Sequence, residues 1–217
     1  MSDLRQYLRT LKVFEGDLPT FDPATAPDHP EDLFVEWLHL AVSGGVREPH
    51  ALTLSTTGLD GLPSARVLIL KNLDEHGWQF AVHAASPKGR ELQATASAAL
   101  TFHWREQARQ IRVRGPVVAA DPGDSAADFL ARPAGSRAEA LIGRQSQVLG
   151  SPAELGAASD RARERLAERP DLVEPAWTLY SLRARTVEFW QGDAERRHVR
   201  LRFTATGTGW EKERLWP

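Results

Sequence analysis

The sequence predicts a mainly β fold with added helices (α+β): an antiparallel barrel carrying its helices at the periphery. Three observations lead to this reading. Between Ala51 and Ala119, short runs of β-type residues are separated by turn signals at regular spacing, the pattern of an antiparallel barrel. From Asp124 a long stretch rich in alanine and charge reads as helix. From Trp177 to Leu215 the β texture returns. With 217 residues the chain is long enough for one well-buried core, and barrels of this size commonly remain single domains. Residues 1–217 are therefore expected to form one domain, with 1–30 as an N-terminal arm.

The arm combines a helical pattern at Leu4, Tyr7, Leu8 and Leu11 with a loop rich in Pro and Asp from Pro19 to Pro30. Asp32 to Ser43 then sets Leu33, Phe34, Trp37, Leu38, Ala41 and Val42 at helical spacing, and Gly44-Gly45 supplies the stop. Strands are expected at Ala51–Thr57, Ser64–Asn72, Trp78–Ala84, Ala98–Trp104 and Gln110–Ala119, with hairpin signals at Asp60-Gly61 and Glu75-His76-Gly77. Pro87 to Ala96 reads as a short helix because Ser86 can cap it, Pro87 suits its first turn and Leu92 anchors it. Next come a helix capped by Asp124 or Ser125 and running through Ala131, a second from Ser136 to Ile142, and a third from Ser151 to Glu168. The third is mostly solvated, with Leu155 and Leu166 among its few large apolar groups. Strands at Trp177–Arg185, Thr186–Gln191, Arg197–Phe203 and Trp210–Leu215 close the chain.

Composition narrows the functions available. A formal charge of −2 gives no global attraction to nucleic acid or to an anionic membrane, so neither is expected as a partner, and any anion site must come from local clustering of the 27 Lys and Arg. Zero cysteines exclude disulfides, thiolate metal sites and a cysteine nucleophile, and no metal is expected. With no secretory signal pattern and no membrane-length apolar run, the sequence reads as a soluble cytoplasmic protein.

Basic and aromatic residues cluster at several places. In Glu188-Phe-Trp-Gln-Gly-Asp-Ala-Glu-Arg-Arg-His-Val-Arg200 two aromatics run into a turn followed by arginines and a histidine. On an extended strand Arg196, His198 and Arg200 would share one side. That suits a flat anionic ligand; a solvated surface hairpin is the alternative. Arg66-Val-Leu-Ile-Leu-Lys71 bounds an apolar strand with two cations expected to face opposite sides, roughly 16 Å apart. Ser86-Pro-Lys-Gly89 offers a helix N-terminus suited to a phosphate, with Ser86 and Lys88 as donors. Arg132-Pro-Ala-Gly-Ser136 and Arg144-Gln-Ser-Gln147 place hydroxyl, amide and guanidinium groups in short loops, suited to oxyanions or to ordinary capping. Gln110 could point an amide at a ring edge or pair at a sheet border.

Taken in order, these motifs resemble the pyridoxamine 5′-phosphate oxidase family of flavoproteins from about Glu48 to Pro217. The resemblance includes Glu48-Pro-His-Ala51, the Arg66–Lys71 run, Ser86-Pro-Lys-Gly89, Arg109-Gln-Ile-Arg-Val113, Arg132-Pro-Ala-Gly-Ser136, Gln145-Ser146, the Glu188–Arg200 segment and the terminal Trp210-Glu-Lys-Glu-Arg-Leu-Trp-Pro217. It implies an FMN-binding split β-barrel working as a homodimer, with flavin sites at the subunit interface. By position it implies flavin contacts at Arg66, Val67, Leu68, Lys71, Val82, Ser86, Lys88, Gln110, Gln145, Ser146, Trp190 and Arg200. Lys71, Arg132 and Ser136 would hold the substrate phosphate with Asp128 beside them, and Arg196 and His198 would lie against the pyridine ring as the catalytic pair.

The resemblance further implies oxidation of pyridoxamine or pyridoxine 5′-phosphate to pyridoxal 5′-phosphate, with O2 as acceptor and H2O2 as product. A hydride would leave C4′ for the flavin, so the protein mainly stacks, orients and tunes charge. His198, flanked by Arg196, Arg197 and Arg200, is expected to stay neutral and to accept a hydrogen bond from substrate.

The chain also departs from the family. Asp128 stands where the family usually has tyrosine, and a carboxylate about 4 Å from a phosphate charge would cost roughly 4 kcal/mol at an effective dielectric of 20. Either Asp128 turns away to pair with Arg132, or the substrate is not the usual phosphate ester. Ala81-Val82 replaces a more polar pair, Pro87 an arginine and Val199 an acidic residue. Two alternatives follow: an oxidase of another flat ring, of the phenazine-biosynthesis type, or a non-catalytic flavin-binding protein.

Overall fold

The computed structural model describes residues 3–217. In chain order its elements are α1 (Leu4–Thr10), α2 (Pro30–Ser43), β1 (Ala51–Thr57), β2 (Pro63–Ile69), β3 (Asn72–Asp74), β4 (Gly77–His83), α3 (Pro87–Thr95), β5 (Ser97–Trp104) and β6 (Arg109–Ala119). They continue with α4 (Pro122–Leu130), α5 (Ala134–Leu141), α6 (Pro152–Glu168), β7 (Trp177–Leu182), β8 (Thr186–Gln191), β9 (Val199–Ala205) and β10 (Trp210–Arg214). The chain divides into two compact units. One comprises the chain up to Leu52 with Leu100–Val113 and Arg185–Pro217; the other comprises Thr53–Ala99 and Arg114–Ala184.

In the first unit the strands follow the order β10-β9-β8-β6-β5, and β8, β9 and β10 pair antiparallel with Trp190 opposite Arg200. Helix α2 starts on Pro30, whose missing N–H costs nothing at a first helical position. It buries Leu33, Phe34, Trp37 and Ala41 and stops at Gly44, with Gly45 at φ +73°. Aromatic edges fill this core, Phe34 lying 4.9 Å from Phe102 and Trp37 5.2 Å from Phe189. Arg109 is buried among them, its guanidinium 4.0 Å over the Trp37 ring and its Nε donating to Gln191 Oε1 at 2.8 Å.

In the second unit β4 pairs antiparallel with β3 and β7, β7 pairs with β6, and β2 with β1. Ser86 caps α3 by accepting from the Gly89 N–H. A Cβ on Gly89 would stand 2.4 Å from the Ala84 carbonyl oxygen, so only glycine allows the helix to start this close to the preceding turn. Helices α4, α5 and α6 share a core of Phe129, Ala138, Leu141, Ala162 and Leu166. Leu155 lies on the solvent side.

The structure moves several expected boundaries, strand β7 for one ending at Leu182 rather than Arg185, and three of the shifts have a local reason. Helix α4 is capped by Asp121 rather than Asp124 or Ser125; the Ser125 hydroxyl instead accepts from the Leu179 N–H. Strand β2 ends at Ile69, so Lys71 lies beyond it and the alternation argument does not reach that residue. Strand β9 begins at Val199 rather than Arg197, because the Asp193 carboxylate accepts from the Glu195 and Arg197 N–H groups and holds a turn.

Candidate active site

In the second unit, β2 and α3 bring two cations to a helix N-terminus. Arg66 donates to Thr56 Oγ1 and Ser64 Oγ, each at 2.5 Å, and to the buried Glu91 carboxylate at 3.1 Å. Thr56 donates to the same Glu91 oxygen at 2.5 Å. Ser86 Oγ accepts from Lys88 Nζ at 3.3 Å and donates to the His83 carbonyl at 2.7 Å. The Lys88 pKa is lowered, first by burial and then by the like charge of Arg66, with Glu91 opposing. Two cations and the positive end of a nine-residue helix thus face one carboxylate, a donor set that fits a phosphate dianion.

A cavity of about 460 Å³ in the same unit is lined by Leu68, Lys71, Asp128, Arg132, Ser136 and Trp177. Asp128 accepts from the Trp177 indole N–H at 2.8 Å and lies 3.4 Å from Lys71 Nζ. Of the two alternatives the sequence left open for Asp128, the pairing with Arg132 does not form; its partners are Trp177 and Lys71. Helix α4 ends at Leu130, so Arg132 leaves the helix face that Asp128 occupies, and its guanidinium lies 4.0 Å over the Trp177 ring. Trp177 therefore offers its N–H to the acid and its face to the base. The buried Arg132 Nη1 has no partner, and burial lowers this guanidinium's pKa while Asp128 raises it. A guanidinium, a lysine and a serine lining one cavity fit an anionic head group.

In the first unit the closing segment gathers around a ring. His198 lies 4.9 Å from Trp190, and Phe14 lies 5.3 Å from His198 and 6.0 Å from Trp190. Arg196 sits 5.3 Å over the Phe14 ring. The expected shared strand side does not form: Arg196 adopts φ +66° within the Asp193 turn, and only Arg200 of the three lies on β9. A non-glycine residue there costs roughly 1 kcal/mol, so the turn holds Arg196 against its own preference. His198 Nδ1 accepts from the Asp193 N–H at 3.1 Å. The ring proton therefore sits on Nε2, which can donate but not accept, reversing the expected direction of its bond to substrate.

Arg200 donates through Nε to Glu188 at 2.9 Å and through Nη1 to the Trp216 carbonyl at 2.7 Å. Arg112 binds the other Glu188 oxygen. Of the remaining expected contacts, Val82 is buried on β4, Val67 is exposed on β2, Gln110 is half-buried in β6, Gln145 donates to the Ala140 carbonyl at 3.5 Å, and Ser146 is exposed at φ +67°. Arg66, Ser86 and Lys88 thus meet, as do Leu68, Lys71, Asp128, Arg132 and Ser136, and Trp190 meets His198. The sequence reading missed Trp177, Glu91, Asp193 and Phe14 as partners. Asp193, in a short turn followed by several N–H donors, carried the one local signal.

Solved structures resemble this chain along most of its length. PhzG from Burkholderia lata 383, in complex with tetrahydrophenazine-1-carboxylic acid, covers 93% of this chain and 100% of its own at TM-score 0.85 and 29% identity. A pyridoxamine 5′-phosphate oxidase-related FMN-binding protein from Nostoc punctiforme covers 88% of this chain and 100% of its own at TM-score 0.72 and 16% identity. Fold and donor set together define an FMN-binding split-barrel flavoprotein.

Sequence narrows the class. Residues 39–166 match the pyridoxamine 5′-phosphate oxidase family, and residues 177–217 match the pyridoxine 5′-phosphate oxidase C-terminal dimerisation region. The pyridoxine/pyridoxamine 5′-phosphate oxidase of Thermosynechococcus vestitus is 39% identical over 217 residues, covering 100% of this chain and 99% of its own. That of Burkholderia vietnamiensis is 39% identical over 201 residues, 91% of this chain and 94% of its own. The chain belongs to the pyridoxamine 5′-phosphate oxidase family, with FMN as its cofactor and oxidoreduction as its chemistry. The matched dimerisation region supports assembly as a homodimer. No helix among the described residues is long and apolar enough to cross a membrane.

Proposed function

We propose that this chain oxidises pyridoxamine 5′-phosphate or pyridoxine 5′-phosphate to pyridoxal 5′-phosphate. The amine reaction consumes O2 and water and releases H2O2 and ammonia; the alcohol reaction consumes O2 and releases H2O2. The reading rests chiefly on the cavity that Lys71, Arg132 and Ser136 line together. Identity of 39% over the full chain with a pyridoxine/pyridoxamine 5′-phosphate oxidase supports it.

Bound FMN supplies the two-electron acceptor and the reaction with O2. Arg66, Lys88 and Ser86 hold its phosphate at the start of α3, while Val67, Leu68, Lys71, Val82, Gln110, Gln145, Ser146, Trp190 and Arg200 complete its contacts across the homodimer. Lys71, Arg132 and Ser136 hold the substrate head group. His198 donates its Nε2 proton to an acceptor on the pyridine ring, and Arg196 adds positive charge beside that ring. Fixing head group and ring together is where orientation gains its effect on rate.

Asp128 favours a second reading, because a carboxylate among the head-group residues disfavours a dianion. PhzG, at TM-score 0.85, was solved with a carboxylic acid of a flat ring. Steady-state assay of the FMN-reconstituted protein, following peroxide, separates the two. Turnover of either B6 phosphate supports the main proposal. An FMN-loaded protein inert to both, yet active on tetrahydrophenazine-1-carboxylic acid, replaces it with the second.

A further inference from the structure

We propose that the head-group cavity takes its phosphate as the singly protonated monoanion, with the P–OH group donating a hydrogen bond to Asp128. This rests on the reading of the cavity as a B6 phosphate site and adds the ionic form that it selects.

The argument starts from charge. Lys71 and Arg132 bring two positive charges to the cavity and Asp128 removes one. The Asp128 carboxylate is not turned out of the way: it lines the cavity, fixed there by the Trp177 N–H at 2.8 Å and by Lys71 at 3.4 Å. Those contacts leave lone pairs on both of its oxygens, since a carboxylate can accept about four hydrogen bonds. A phosphate dianion has only acceptors and would meet these lone pairs with repulsion. A monoanion carries one donor and one charge, which matches both the free acceptor and the single surplus cation.

The second ionisation of a phosphate ester lies near pH 6, so above neutrality the bound form must take a proton from solvent. That proton is shared between the phosphate oxygen and Asp128. The other groups facing Asp128 are Arg132 beyond α4, Trp177 on β7 and Lys71 after β2. Across a second cavity of about 470 Å³ that shares Lys71 and Asp128, they are Asp74, His76, Asp124 and Arg183. Asp74 is already occupied by Asn72, the His76 N–H and Gln79. All of these remain in an Asp128→Asn variant, whose amide oxygen can still accept from Trp177, so the variant isolates the carboxylate.

The test is calorimetric binding of 4-deoxypyridoxine 5′-phosphate, which has no oxidisable group at C4′, to the FMN-loaded protein at pH 7.5 in two buffers of different ionisation enthalpy. Wild type should take up about one proton per site, given a ligand pKa of about 6, and Asp128→Asn close to none. In parallel, kcat/KM for pyridoxamine 5′-phosphate in wild type, divided by that of the variant, should fall about ten-fold per pH unit between pH 7 and 9. Binding without proton uptake by wild type overturns the proposal even if the variant does not fold, and so does a ratio independent of pH. Proton uptake with no turnover of either B6 phosphate sinks the oxidase reading and leaves the cavity's selectivity standing; turnover without uptake does the reverse.

Discussion

Replacing Glu188 with Gln tests the organisation of the closing segment. Glu188 is buried and holds Arg112 and Arg200 on its two oxygens. The amide keeps the shape, removes the charge and leaves two guanidinium groups facing each other. Breaking a fully buried pair costs about 3–5 kcal/mol. Here Glu188 is 11% exposed but Arg200 is 25% and Arg112 47%, so both freed cations reach water and the expected loss is nearer 2–3 kcal/mol. For a chain of this size that lowers Tm by roughly 5–10 °C. The assay is thermal unfolding of the FMN-free protein followed by circular dichroism, in low salt and in about 0.5 M NaCl, where the screening length is only a few ångströms. Arg112→Met, which removes a half-exposed guanidinium, should cost under about 1 kcal/mol. A Tm change of about 1 °C or less in Glu188→Gln, or a difference that vanishes in salt, would show an ordinary surface pair and refute the reasoning.

Three further outcomes are expected. Burial lowers the Arg109 pKa to about 10, a shift worth about 3 kcal/mol against the charged form, so Arg109→Met should lie within about 1 kcal/mol of wild type while Arg109→Lys, which keeps a charge without the flat stacking surface, should be the least stable. The folded value lies below the unfolded one, so this cost is full below pH 10 and is relieved as pH rises past it; wild type should gain stability relative to Arg109→Met between pH 9 and 11, and a constant difference would contradict the assignment. Lys88→Gln should leave the apoprotein no less stable, because burial and Arg66 already disfavour its charge, yet weaken FMN binding at least ten-fold, measured by flavin fluorescence quenching; equal FMN affinity would remove Lys88 from the phosphate site. Phe14→Ala should uncover His198 and Trp190 and lower kcat/KM roughly ten-fold without moving Tm by more than a few degrees, whereas unchanged kinetics would leave Phe14 as packing alone.

Most elements were legible because their signals are local. Ser86 caps α3 as read from the sequence, accepting from the N–H three residues on, and Gly61, at φ +82°, turns the chain between β1 and β2. The candidate cations were legible as residues but not as pairs, because their partners are distant in sequence. Asp128 meets Trp177 49 positions away, Arg112 meets Glu188 76 away and Arg109 meets Gln191 82 away. No periodicity connects such positions; only the folded sheet does. The period-two reading of Arg196, His198 and Arg200 failed for the opposite reason. A side chain next to the segment, Asp193, bonded the local N–H groups and outcompeted the strand.

Those distant partners share a logic. Three of the cations assigned to a ligand have a carboxylate already on them: Glu91 on Arg66, Glu188 on Arg200 and Asp128 on Lys71. Such a carboxylate lets a cation fold into a partly dry site before its ligand arrives, because an unpaired buried charge costs several kcal/mol; it also weakens the pull on an anion. At Arg66 the acid is buried and shared with Thr56, and at Arg200 it is buried and shared with Arg112. Both acids are buried behind their protein donors, so a ligand meets the cation and not the acid. At Lys71 the acid lines the cavity itself. The arrangement that stabilises the other two cations therefore becomes, at this one position, part of what the site recognises, and a ligand able to donate to Asp128 gains where a fully ionised one loses.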